Sequence, residues 1–254
     1  MNRRLLAPIV GIACFLGLWE AIVRIGDVRP FVLRAPSRIV RYLAAHFRDY
    51  GGAAWVTIQH AFIGTLIGLL VALLIGSAMA AWKFLEHAAQ PVLTLLQVTP
   101  FVAYIASVVL WLGSGTQPAV FIVALVCMPA FAFATVDGMR SADPAARELL
   151  ASVDASRAEV LWRLRLPSAM PSLFTTARYN VGLALIAAYL VEGGNFANEG
   201  LGSIGKRAAA LNEGDALWAA IFSMALLGTI TLVLLTLLQR VAMQWHVSQR
   251  PKRG

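Results

Sequence analysis

Six uninterrupted apolar runs constrain this chain more than any other feature. They fall near residues 5–23, 56–82, 92–112, 118–136, 174–191 and 217–238. A bilayer core of about 30 Å takes about 20 apolar residues in a helix. Inside lipid every backbone N–H and C=O must be paired within the protein, which leaves only helices or a closed barrel. The runs do not alternate at period two, so a barrel is excluded. The expected fold class is all-α: a polytopic membrane protein with about six transmembrane helices, one domain over residues 1–254, and no second soluble unit. Composition agrees, since only 13% of residues are charged, against about 25% in soluble domains.

Six crossings place both termini on one side. Of 21 Lys and Arg residues, thirteen lie on the side of the termini and eight on the other. Cytoplasmic loops carry the excess of Lys and Arg, so both termini are expected to be cytoplasmic. Most of the opposing eight sit in the outer segment 24–48. The first run is long, carries Glu20 near its end, and is followed by no small-residue cleavage site. It is expected to stay as a helix and not to be removed as a signal peptide. The formal charge of +8 flanks the spans, so the expected partner is lipid with anionic headgroups, not nucleic acid. Cys14 and Cys127 fall inside spans and read as buried, inert small hydrophobes.

Local signals refine this plan. The outer segment reads as extended around Pro30 and Pro36, then as a short amphipathic interfacial helix with Ser37 as its N-cap. In the second span Gly64, Gly68, Ala72, Gly76 and Ala80 recur every four residues. Such a strip lets two helix backbones approach closely. Pro100 falls within the third span and is expected to kink it. Gln97, Thr99 and Tyr104 nearby either line a cavity or satisfy the backbone groups the proline frees.

Two motifs mislead. Gly200-Leu-Gly-Ser-Ile-Gly205 fits a dinucleotide fingerprint and, with Lys206, nearly fits a phosphate-binding loop. Both need a strand before and a helix after, and the second needs Ser or Thr where this chain has Arg207. The glycines are expected to serve a tight turn and a short re-entrant or interfacial helix. The histidines His46, His60, His87 and His246 show no ligand spacing, and no catalytic cluster occurs. No metal or cofactor is therefore expected. Glu20 and Glu192 are the acids nearest the membrane interior. Glu20 reads as snorkelling to the interface, whereas Glu192, followed by Gly193, Gly194 and Asn195, reads equally well as functional.

The one long polar segment is 148–167, ELLASVDASRAEVLWRLRLP. Asp143 caps a first helix over 145–152, Asp154 marks a turn, and 156–164 forms a second helix that Leu166-Pro167 ends. Val153, Val160, Leu161 and Leu164 supply its apolar side. This helix–turn–helix resembles the coupling loop of inner-membrane permease subunits of binding-protein-dependent ABC importers. In that family a Glu is followed six residues later by Gly and nineteen later by the Pro of Leu-Pro. Here Glu148 matches the Glu, Asp154 stands for the Gly, Ala155, Ser156 and Arg157 match the usual Ala-Ser-Arg, and Leu166-Pro167 closes the motif. Leu149 and Leu150 replace two alanines. Asp tolerates left-handed turns better than most residues, so the turn is expected to survive. The segments LRAPSRIV, VVLWLGSG and VEGG with EGLGSIG also look like that family, in its nitrate, sulfonate, taurine and pyrimidine-precursor branch.

The resemblance implies a permease subunit that imports a small solute by alternating access, with a coupling loop spanning about 138–173. It implies a homodimer, a cytoplasmic ATP-binding subunit that performs the hydrolysis, and an extracytoplasmic solute-binding protein. The permease itself is then no enzyme. Glu148, Asp154, Ala155, Ser156, Arg157, Leu166 and Pro167 would couple to the ATPase, and Gln97, Tyr104, Asn180 and Glu192 would line the pathway. The competing reading is a membrane scaffold or assembly protein with no pathway.

Overall fold

A computed structural model describes residues 3–29, 32–194 and 199–243. Pro30, Asn195, His246 and the basic residues Arg250, Lys252 and Arg253 lie outside the described residues. The described chain is helical and contains no strand. In order come α1 (Arg3–Ile25), α2 (Pro36–Ala45), α3 (Phe47–Ala81), α4 (Lys83–Val98), α5 (Ile105–Leu112), α6 (Thr116–Arg140), α7 (Pro144–Ser152), α8 (Arg157–Val160), α9 (Leu166–Gly194), α10 (Gly200–Ala210) and α11 (Gly214–Ala242). Five helical stretches are long and apolar enough to cross a membrane, and α4 with α5 makes a sixth candidate.

Helix α6 is the centre of the bundle. It is the most buried span, whereas the most apolar stretches of α1 and α11 contain no buried residue. One face of α6 packs on α3 and another on α9. The small-residue strip explains the first contact. Gly64, Gly68, Ala72 and Gly76 are buried, while Ala80 at the end of the strip is half-buried. A Cβ at Gly68 would stand 2.7 Å from the Ala124 carbonyl oxygen, and one at Gly76 would stand 2.6 Å from Thr135 Cβ. The strip lies on the helix–helix interface of α3 with α6, and Leu70 points away from it, 53% exposed. Cys127 is buried in this core, as expected, but Cys14 is exposed on α1. Helix α1 packs near its C-terminal end, where Trp19 meets Trp218 and Phe222 of α11 and Glu20 meets Ser37 of α2.

The third span is broken, not merely kinked. Helix α4 stops at Val98, Thr99 is extended, and a 3-10 turn over Phe101–Tyr104 leads into α5 at a bend of 87°. Pro100 lacks an N–H and pushes Thr99 out of helical geometry, so the break falls at that pair. Pro91 is carried inside α4.

The N-terminal end of α2 differs from expectation. It starts at Pro36 with Ala35 as N-cap, and no side chain of its own caps it. Ser37 is already inside the helix, and its N–H and hydroxyl donate to the Glu20 carboxylate at 3.0 and 2.7 Å. A carboxylate from α1 thus takes the capping role, because the orphan N–H groups and the helix dipole both favour an anion there. Arg24 donates to the same carboxylate, so Glu20 is hydrogen-bonded by α1 and α2 together.

Candidate coupling loop and transport pathway

The polar loop is two capped helices. Asp143 Oδ1 accepts from Ala145 N at 2.9 Å, and Pro144 occupies the first helical turn of α7. Asp154 then turns the chain with φ +53°, a left-handed conformation that Asp adopts at lower cost than most side chains. Ser156 opens α8 with a reciprocal pair: its hydroxyl accepts from Glu159 N at 3.2 Å, and its own N–H donates to Glu159 Oε2 at 2.9 Å. That Ser-x-x-Glu spacing was readable as a capping box.

The loop does not end where Leu166-Pro167 was expected to end it. A π-helical turn over Leu161–Arg165 runs straight into α9, so one uninterrupted helical run extends from Arg157 to Gly194. In an α-helix the Pro167 ring would press on the carbonyl four residues back. The wider π turn gives that ring room and removes the reason to stop. Leu161 and Leu166 pack against the core. Val153, on the loop's apolar side, is exposed, together with Leu149 and Trp162. Glu148, Asp154 and Arg157 are exposed beside them, and Ala155 is half-buried.

The four residues expected on a pathway fall in two settings. Gln97 is exposed on α4 and Tyr104 is half-buried at the break between α4 and α5. Asn180 and Glu192 are buried, each 3% exposed. Asn180 Nδ2 donates to the Cys127 carbonyl at 3.1 Å and ties α9 to α6. Glu192 accepts from Thr57 Oγ1 at 2.8 Å, His60 Nδ1 at 2.9 Å and Gly202 N at 3.0 Å. Leu201 N donates to Thr57 Oγ1 at 2.9 Å, and His60 Nε2 lies 3.3 Å from Thr116 Oγ1. One carboxylate therefore holds α3, α9 and α10 together, with the N-terminal end of α10 aimed at its charge. No hydrogen bond links any two of the four residues, and the side chains of Asn180 and Glu192 serve helix packing in this subunit.

The nucleotide-like glycines belong to the same junction. They form the first turns of α10. Gly200 has φ +83°, a conformation suited to glycine. At Gly202 a Cβ would collide with the Tyr189 carbonyl, and at Gly205 with the Tyr189 hydroxyl. Their spacing records close packing of α10 on α9, not a phosphate cradle. Among the described residues no group of three or more His, Cys, Asp or Glu is placed to hold a metal ion.

A bundle of membrane-length helices with a capped polar helix pair fused to one span defines a polytopic all-α membrane protein. The chain belongs to the family described as binding-protein-dependent transport system inner membrane component, whose model matches residues 64–243. It is an inner-membrane permease of the ABC importer type. It is 28% identical to the formylaminopyrimidine transport permease protein ThiX of Halalkalibacterium halodurans, covering 96% of this chain and 97% of that one. It is 25% identical to the taurine transport system permease protein TauC of Escherichia coli, over 97% and 92%. It is 30% identical to the riboflavin transport system permease protein RibX of Chloroflexus aurantiacus, over 94% and 90%. Its fold is similar to a chain of the MetNI methionine ABC transporter in an inward-facing conformation, with TM-score 0.65 at 16% identity, covering 74% of this chain and 94% of that one. A scaffold without transport is not favoured.

Proposed function

We propose that this permease imports a small polar nutrient by alternating access, as one of two identical copies, with ATP hydrolysed by a separate cytoplasmic subunit. The observation that carries the reading is the loop. Two short capped helices present Glu148, Leu149, Val153, Arg157 and Trp162 outward, and the second continues directly into span α9. Aromatic and charged groups exposed together on a rigid helix pair suit a protein partner, since they supply both an apolar anchor and charge-assisted contacts. A shift imposed there passes into the bundle through the chain itself. ATP drives such a change only if the loop's contacts differ between the two states.

In this reading α4 and α5 form one crossing, both termini are cytoplasmic, and a solute-binding protein delivers solute to the opposite side. The pathway runs beside the break at Pro100, with Gln97 and Tyr104 towards it. Asn180 and Glu192 hold the wall behind it. The solute is of the sulfonate, taurine, nitrate or vitamin-precursor kind, consistent with the names of the relatives. The test is solute-stimulated ATPase activity of the reconstituted complex. Glu148→Lys with Arg157→Glu abolishes the stimulation while the permease stays in the membrane. Normal stimulation in the double variant would refute the role of this loop.

A further inference from the structure

Beside the loop, at the joint of α3 and α4, lies a cavity of about 520 Å³. Four cations line it: Lys83, Arg140, Arg147 and Arg165. Glu86 is the one carboxylate among its lining residues, and Arg140 already holds it in a two-point pair at 2.7 and 2.6 Å. Among the described residues, Lys83, Arg147 and Arg165 have no ion-pair partner. His87, whose Nδ1 is 2.6 Å from the Lys83 carbonyl, also lines the cavity. Three cations without an ion-pair partner around one hollow repel each other unless an anion sits between them.

Ala80, Met139 and Leu164 are among its apolar lining residues. Trp82 and Phe84 flank Lys83 in sequence and are 61% and 84% exposed. Aromatic side chains on either side of a cation, at the end of a membrane-spanning helix, mark the level of the lipid headgroups. Cations beside apolar side chains at that level match a phosphate that carries acyl chains.

We infer that this cavity binds the phosphate of an anionic glycerophospholipid headgroup, held by Lys83, Arg147 and Arg165, with the first acyl carbons against the apolar lining residues. Basic pockets between membrane helices recognise anionic headgroups in this way. Arg147 lies on α7 and Arg165 at the foot of α9, so a bound phosphate would bridge the loop and its span. The inference needs only the membrane spans and does not depend on which solute is carried.

The test measures lipid retained by the full chain purified from mixed micelles of phosphatidylglycerol and phosphatidylcholine. Native protein should retain phosphatidylglycerol selectively. Arg147→Gln with Arg165→Gln should lower that retention about tenfold or more, given the attraction of each basic residue for anionic headgroups. Arg147→Lys with Arg165→Lys should keep most of it. The charge-matched control Arg41→Gln with Arg48→Gln, two exposed arginines outside the cavity, should lower it far less. Lys83→Gln alone, at an exposed position, should also lower retention, and it guards against misfolding of the double variant. Equal retention in the cavity variants and the control overturns the proposal, whether or not a protein subunit is lost from the same variants. Displacement of phosphatidylglycerol by equimolar glycerol 3-phosphate also overturns it, because the site would then take a soluble phosphate and not a lipid.

Discussion

At the scale of single residues, the junction around Glu192 sets the sharpest expectation. Its carboxylate satisfies Thr57, His60 and the Gly202 N–H at once. Glu192→Ala strands these buried groups, and a stranded buried polar group costs about 1–3 kcal/mol. Glu192→Gln keeps one acceptor oxygen and should cost much less. Thermal midpoints of the purified protein in detergent should therefore fall in the order native, Gln variant, Ala variant. Equal midpoints would mean that the junction does not hold the helices. Sequence drew attention to Glu192 but missed its partner. His60 was searched for metal-ligand spacing in the chain, and its partner is remote in sequence. The usable signal was one ionisable residue within the second span and another at the end of the fifth, since such groups pair with one another in the membrane. The glycines after position 199 were read as turn-formers. Their real neighbour, Tyr189, becomes visible only when α10 is folded back on α9.

At the scale of elements, the small-residue strip of α3 makes a second expectation. Gly68→Leu or Gly76→Leu drives a side chain into the α6 backbone or Thr135. Overpacking of this kind costs about 1–3 kcal/mol, so the yield of monodisperse protein in detergent should fall. Leu70→Phe, on an exposed face, should leave the yield unchanged, because detergent or lipid moves aside. Most element positions were legible because lipid imposes length and apolarity on every span. The strip was legible because a period of four lays small residues along one helix face. What sequence misjudged were the places where one element acts on another. Ser37 seemed to be a cap and is instead bound by Glu20 of α1. Leu166-Pro167 seemed to be a stop and is crossed by a π turn. Pro100 was read as a kink, and the chain turns through 87° there.

At the scale of the whole molecule, the residues that mimic a nucleotide loop are consumed by packing. The purified chain alone should show no saturable ATP binding, measured by equilibrium dialysis or fluorescence of a nucleotide analogue. Binding lost on Lys206→Ala would contradict the packing role of α10. A last consequence follows from the unbroken run between Arg157 and Gly194. Its π turn holds an extra residue relative to an α-helix, and that width keeps the outer helix pair in line with the span across Pro167. Deleting Arg163 would leave an ordinary α turn, in which the Pro167 ring presses on the carbonyl four residues back and bends the outer helix pair away from the span. Arg163→Ala changes the same exposed side chain without narrowing the turn. Deletion should abolish solute-stimulated hydrolysis in the reconstituted complex while the spans still assemble, and the alanine variant should keep most of it. The angle at which the loop meets its partner is therefore written in one wide turn of helix.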